Sequence, residues 1–307
     1  MKKIIIDTDI GSDIDDALAL GYLGKCKDIE IAGITTVFYQ TYNKAMLSGL
    51  ILDNLKIKAR VVAGFGKPVH LSEKEFQEKE NKYNKVQFKA LEGVEVKNNP
   101  EKDGVLEFLK ESFSKQPGEI TLLAIGPLTN IGLLLKKYPA TSKNIKEIVM
   151  MGGCVFATFP EWNIINDYLS AEIVFNSKIP IKMLPLELTM KSELFEKHIK
   201  TLEKSKNPLP ALLGKLTRLW QEGKGRTPIL HDVLAAMAIT HPEIIKFEPF
   251  KINIETKGEH TKGMTVLSET TWENNWKLKD PKKANVLLAT EVNYNKVIEI
   301  FMETVLG

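Results

Sequence analysis

Ile4-Ile5-Ile6-Asp7-Thr8-Asp9-Ile10-Gly11-Ser12-Asp13-Ile14-Asp15-Asp16-Ala17-Leu18-Ala19-Leu20 is the stretch that decides the fold class. Its three isoleucines are a β-branched apolar run of the kind found in a strand buried on both faces. From Asp15 to Leu23, helix formers carry apolar residues at helical spacing. Residues 7–12 therefore make a strand-to-helix turn, and open α/β sheets bind ligands where such turns converge beyond the carboxyl ends of the strands. Five of the residues from 7 to 16 are aspartates. Carboxylates crowded into a partly dry site either take up protons or bind a hard divalent cation through oxygen, and a cation is the expectation here. Gly11 lets the backbone bend close to a ligand, and the acidic residues stand near a helix N-terminus, whose dipole favours negative charge. Helix capping accounts for Asp13 as well as ligand binding does, but it does not account for Asp9, Asp15 and Asp16 together.

The pattern repeats along the chain. Strand-like runs over residues 3–7, 29–35, 59–63, 120–125, 145–150 and 181–184 are mostly separated by helix-like stretches, which predicts parallel βαβ units. Pro127 opens the helical pattern 128–137, where its missing N–H costs nothing. Residues 66–100 are polar and irregular, as in a loop or lid. Further on, 209–220 and 232–240 read as helices, 250–256 with 263–267 as a β-hairpin, and 293–305 as a terminal helix. No repeat or linker divides the chain. The expectation is one domain over residues 1–307, an α/β fold with an open, mostly parallel, Rossmann-like sheet flanked by helices and a small late β-hairpin.

Composition narrows the function classes. Lysine and arginine number 42 against 39 acidic residues, a net charge of +3 that gives no sign of a nucleic-acid or membrane partner. The lysines of residues 74–89 are interleaved with glutamates, which reads as a solvated helix or loop. Cys26 and Cys154 are far apart and lack metal-site spacing, so neither a disulfide scaffold nor a zinc site is expected. No apolar run reaches signal-peptide or membrane-spanning length, and a cytoplasmic enzyme is the default.

Three more strings stand out: Gly126-Pro127-Leu128-Thr129-Asn130, Met151-Gly152-Gly153 leading to Glu161-Trp162-Asn163, and His231-Asp232 opening a helix. With the aspartate run, and in this order, they resemble the inosine–uridine-preferring nucleoside hydrolase family. The resemblance continues into Glu255-Thr256-Lys257-Gly258 and Thr261-Lys262-Gly263-Met264-Thr265-Val266. It implies the nucleoside hydrolase fold and one Ca²⁺ held by Asp9, Asp16, Asp232 and the backbone carbonyl of Ile125. It implies cleavage of the N-glycosidic bond of a small-molecule ribonucleoside, in a homodimer or homotetramer. Asp15 would hold the 2′-hydroxyl, Asn163 and Asp232 the 3′-hydroxyl and Glu161 the 5′-hydroxyl, with the Met151 backbone nearby.

The residue types suit that chemistry. A cation orients a water and makes it more acidic, with Asp9 beside it as general base. A carboxylate-rich pocket then stabilises the positive charge that develops on the sugar as the base departs, and vicinal hydroxyls match carboxylate and amide partners. His231 is the expected acid for the leaving base, because histidine changes charge near neutral pH; its plainer reading is a helix-start residue that orients Asp232. Glu161 and Asn163, taken alone, read as a solvated loop pair.

The chain departs from the family pattern in several places. Asp13 and Ile14 intervene before Asp15-Asp16, so Asp13 or Asp15 fits the ribose role; Asp15 is preferred because Asp15-Asp16-Ala17 leads straight into the helix. Phe38-Tyr39-Gln40 stands where a small residue and an asparagine are usual, and Gln40 is expected to supply the amide near the attacking water. The 154–160 loop is short, and no HGxxG-like string lies within 66–100, so base preference does not transfer. Tyr39, Phe156, Phe159, Trp162 and Trp220 either stack on a nucleobase or belong to the core. Competing readings are a hydrolase of another N-ribosyl compound and a Ca²⁺-dependent nucleoside- or ribose-binding protein without turnover. A haloacid dehalogenase-type phosphatase is disfavoured, because Ile10 follows Asp9 and the later strand ends in Met151-Gly152-Gly153.

Overall fold

The computed structural model describes residues 1–83, 86–270, 278 and 280–307. Its first half runs β1 (Lys2–Thr8), α1 (Asp15–Lys25), β2 (Ile29–Thr36), α2 (Thr41–Leu55), β3 (Val61–Ala63), α3 (Glu73–Asn81), α4 (Val105–Lys115), β4 (Ile120–Ala124), α5 (Thr129–Lys137) and β5 (Glu147–Met151). The second half runs α6 (Trp162–Asn166), α7 (Tyr168–Phe175), β6 (Ile181–Leu184), α8 (Leu186–Thr189), α9 (Glu196–Glu203), α10 (Pro208–Lys224), α11 (His231–Thr240), β7 (Ile245–Ile254), β8 (Thr265–Ser268), β9 (Val286–Val292) and α12 (Tyr294–Leu306). The nine strands form one sheet in the order β3-β2-β1-β4-β5-β6-β9-β7-β8. Neighbours from β3 to β9 are parallel, while β7 runs antiparallel to β9 and β8.

β1 lies inside the parallel region and buries both faces, which is why its sequence is a continuous apolar run. Ile4 and Ile6 join a core with α1, α2, α10, α11 and α12, whereas Ile5 joins the core beneath α4, α5 and α7. From β1 the chain moves outward to β2 and β3, then returns to lay down β4, β5 and β6 on the other side. The β1/β4 boundary is thus the switch point, where open α/β sheets leave a crevice for ligands. Asp7 is in register with Ala124 and Thr8 with Thr36. Ile125 N–H donates to the Asp7 carbonyl at 2.9 Å and Val37 N–H to the Thr8 carbonyl at 3.0 Å. Asp9, Ile125 and Val37 therefore leave the sheet side by side.

The alternating strands and helices appear as the sequence predicts, with small differences in length, and the late hairpin is β7–β8. Two differences have physical causes. β7 starts earlier than expected because Lys246, Glu248 and Pro249 interrupt its apolar pattern, and its first half pairs with β9. β9 itself, the last parallel strand, follows antiparallel strands and so falls outside the βα alternation that marks the others. Residues 66–100 are partly helical: a reciprocal Ser72/Glu75 capping box starts the exposed α3, and a 3₁₀ turn spans Val86–Leu91. Residues 84–85 of that segment lie outside the described residues.

Gly11 has φ +94°, and a Cβ there would lie 2.8 Å from Cε1 of Phe88. Gly11→Ala is expected to lower the unfolding free energy by about 1–3 kcal/mol through backbone strain and this clash. Urea denaturation reads it; an unchanged midpoint would show that the turn accommodates a side chain.

Candidate active site

Helices α1 and α11 both begin at the carboxyl end of the sheet, and each places acidic residues in its first turn. Asp15 and Asp16 of α1 and Asp232 of α11 offer carboxylate oxygens that all lie within 4.8 Å of one another. All three side chains are buried. The Thr8 hydroxyl donates to Asp16 Oδ1 at 2.5 Å, and a hydrogen bond joins the Asp15 and Asp232 carboxyls. Burial, reinforced by the neighbouring carboxylates, holds all three well above the usual carboxylate range. Among the described residues this is the one cluster of three ligand-bearing side chains.

Asp9 stands beside the trio, and its charge raises all three carboxyls, but its own oxygens fall outside the grouping. Its Oδ2 is buried without a hydrogen-bond partner and lies 3.9 Å from the ammonium of Lys44. Lys44 is fully buried and donates to the Asp9 carbonyl at 2.8 Å, Ser12 Oγ at 2.6 Å and the Tyr83 hydroxyl at 3.2 Å. Tyr83 in turn donates to Ser12. Burial draws the Lys44 ammonium down to about 8, against the pull of Asp9 and Asp16. Sequence reasoning missed this residue. The signal was available: Lys44 shares a helical stripe with the buried Ser48 and Ile51, an unusual place for a lysine.

Gln40, expected at the water, ends a turn of three left-handed residues. Phe38, Tyr39 and Gln40 have φ of 65°, 45° and 37°, and Phe38 and Tyr39 pack with Phe76 and Tyr83. The Gln40 N–H donates to Glu80 of α3 at 3.0 Å, and its side-chain oxygen is buried without a partner. Lys44 is the α2 residue that reaches Asp9.

On the other side of the crevice, Asn163 Nδ2 donates to the carbonyls of Met151 at 3.1 Å and Ile125 at 3.4 Å, bridging the ends of β5 and β4. Glu161 caps α6, accepting from the N–H groups of Asn163 at 2.8 Å, Gly153 at 2.9 Å and Ile164 at 3.1 Å. Both side chains are buried, which rules out a solvated loop pair. Burial outweighs the three donors and pushes Glu161 up to about 7. Nδ1 of His231 lies 2.7 Å from the Thr189 hydroxyl; burial, aided by Arg226, pulls the imidazole down to about 4, so it is neutral near pH 7. Asp13 is separate from the trio: it pairs with Arg226 at 3.1 Å, and the residue at the N-cap of α1 is Ile14. Of the aromatics, Tyr39 and Trp220 are core, while Phe156, Phe159 and Trp162 are 60%, 49% and 56% exposed. The Trp162 ring meets Phe38 edge-on at 5.9 Å.

The sheet order and the buried acidic crevice at its switch point define an α/β enzyme with an oxygen-rich polar centre. The sequence matches the family described as inosine-uridine preferring nucleoside hydrolase over residues 4–299, and the chain belongs to that family. It is accordingly an N-glycosidase. The chain is 29% identical to a probable uridine nucleosidase 2 of Oryza sativa subsp. japonica, over 90% of this chain and 86% of the relative. It is 28% identical to a pyrimidine-specific ribonucleoside hydrolase of Escherichia coli, over 87% and 88% of the two chains. The fold is similar to that of a plant nucleoside hydrolase, with a TM-score of 0.81 at 21% identity over 100% and 99% of the chains. A purine-preferring ribonucleoside hydrolase from Gardnerella vaginalis gives the same TM-score at 23% identity over 100% and 98%. Among the described residues, no helix is long and apolar enough to cross a membrane.

Burial sets the expected pH dependence of the cation-free protein. Glu161 and Asp7, each raised to about 7 chiefly by burial, and the trio, held well above the usual carboxylate range by burial, keep protons that the unfolded chain has released. The native state therefore binds more protons from about pH 4 upward, and its stability falls as pH rises through 7. Chelation is expected to lower Tm more at pH 8 than at pH 6, with Ca²⁺ restoring it, as read by thermal denaturation. A Tm at pH 8 indifferent to Ca²⁺ would contradict a cation at the trio.

Proposed function

We propose that the protein hydrolyses the N-glycosidic bond of ribonucleosides to ribose and free base with Ca²⁺ as cofactor. The observation that carries this reading is the meeting of Asp15, Asp16 and Asp232 within 4.8 Å, buried and next to Asp9. The donor set fits Ca²⁺, which takes carboxylates and carbonyls in flexible geometry: Asp16, Asp232, one oxygen of Asp9 and the Ile125 carbonyl. When bound, the ion supplies positive charge that orients a water and makes it more acidic.

The chain's own residues do the rest. Asp9 takes the proton of the attacking water, for which its unpartnered Oδ2 is the open acceptor. Asp15 accepts from the 2′-hydroxyl, and Asp232 and Asn163 engage the 3′-hydroxyl. Glu161 already accepts three N–H donors, which leaves one of about four lone-pair positions for the 5′-hydroxyl. The carboxylates stabilise the positive charge that builds on the ribose as the bond to the base breaks. With Nδ1 of His231 engaged by Thr189, Nε2 is left to the leaving base. Negative charge developing there favours the protonated imidazole and counters the burial that keeps it neutral in the free enzyme. Trp162 and Phe156, exposed beyond Glu161, offer faces on which a base can stack.

The similar rice and E. coli proteins are named for uridine and pyrimidine nucleosides, so uridine and cytidine lead the assay, followed by inosine and adenosine. Ribose release with Ca²⁺ present and its loss on chelation are the expected results; binding of all four without ribose release would leave a binding protein instead. Asp9→Asn is expected to abolish turnover while weakening Ca²⁺ binding less than Asp16→Ala does, and normal turnover in Asp9→Asn would remove it as the base. His231→Ala is expected to slow nucleosides more than a nitrophenyl riboside, whose leaving group needs no proton. Equal losses on both would exclude the acid role.

A further inference from the structure

Only residues 37–40 connect β2 to α2, and three of them adopt left-handed backbone. Each such residue costs about 1–2 kcal/mol when it is not glycine, so the surrounding structure must hold this turn in place. Its effect is to seat the first turn of α2 over the carboxyl ends of β1 and β2. Helical side chains lean toward the N-terminus, so a lysine in that turn reaches back into the crevice, as Lys44 does.

An ammonium has three N–H donors, and those of Lys44 meet three acceptors: the Asp9 carbonyl, Ser12 Oγ and the Tyr83 hydroxyl. None is left for a substrate or a water. What Lys44 still exerts is its charge, 3.9 Å from Asp9 Oδ2, and its grip on the Asp9 backbone. The charge also reaches Asp16, but the hydrogen bond and the ion pair both fall on Asp9, whose oxygens lie outside the grouping of the trio. We propose that Lys44 is a positioning residue that keeps Oδ2 of Asp9 apart from the Asp15–Asp16–Asp232 cluster, so that Asp9 remains a proton acceptor instead of closing fully onto the cation. This rests on the hydrolase reading, in which Asp9 is the base. Removing the ammonium frees Asp9 to turn both oxygens to the metal, which strengthens the metal site and removes the acceptor.

Lys44→Met and Lys44→Arg, each saturated with Ca²⁺ and checked for native melting, test the assignment. In Lys44→Met, kcat is expected to fall about tenfold or more, as for a misplaced reacting group, with KM within about threefold and Ca²⁺ bound at least as tightly as by the unaltered protein. Lys44→Arg, which restores charge and donors, is expected to recover part of kcat. Weaker Ca²⁺ binding in Lys44→Met, kcat near that of the unaltered protein, or an arginine variant no better than the methionine one would each overturn the assignment. If the unaltered protein releases no ribose, the hydrolase reading falls, but Ca²⁺ titration of the two proteins still decides whether Lys44 restrains Asp9. If Lys44→Met does not fold, Ser12→Ala removes one acceptor and keeps the charge. A loss in kcat with unchanged Ca²⁺ affinity supports the assignment there, and an unchanged kcat overturns it.

Discussion

Mutual repulsion among buried carboxylates is the constraint around which this protein is built. Two unit charges at the 4.8 Å spacing that bounds the trio repel by about 3 kcal/mol at the effective dielectric of a protein site, and the trio contains three such pairs. Packing cannot relieve that, because the same burial that stabilises the core removes the water that would screen the charges. The available remedies are protons, a cation and favourable dipoles. The helix starts of α1 and α11 supply dipoles, burial and mutual repulsion raise the carboxyls of the trio toward their protonated forms, and Lys44 supplies a fixed cation next to Asp9. A divalent ion with oxygen ligands answers the whole cluster at once.

The sheet makes this crowding possible. Asp9, Asp15 and Asp16 lie within one turn of chain, but Asp232 arrives from α11, and the Ile125 carbonyl from the end of the neighbouring strand. A switch point is the place where such pieces meet, since helices on both sides of the sheet begin there and no connection crosses the gap. Asn163 completes the wall by tying the Ile125 and Met151 carbonyls together. Gly11 lies against Phe88, and the Gln87 amide donates to the Asp13 carbonyl at 2.7 Å, so the segment after α3 also grips the aspartate turn.

Much of this was legible in the sequence because the physics was local. An isoleucine run before an acidic turn and a helix pattern specifies a strand, a bend and an N-terminus whatever lies around them, and the family strings located Asn163, Glu161 and Asp232. Features that depend on distant partners were not legible. β9 becomes a parallel strand only because β6 offers it an edge. Glu161 is a buried helix cap because Gly153 and α6 close around it, although its neighbours in sequence look like a polar loop. Asp13 pairs with Arg226, far along the chain, and stands outside the trio while its charge still acts on Asp15.

The Phe38–Tyr39–Gln40 turn shows most clearly how a local departure is absorbed. The two aromatic side chains that replace small ones are buried against Phe76 and Tyr83, with the Lys44 ammonium 5.7 Å from the Phe38 ring centroid, and the backbone runs through three left-handed residues. That turn brings the Gln40 N–H to Glu80. Lys44, four residues further on, stands next to Asp9 with a charge. An amide can accept as well as donate; an ammonium whose three donors are spent on Asp9, Ser12 and Tyr83 can do neither toward a substrate. In the proposed mechanism Lys44 therefore acts through Asp9 and not on the attacking water.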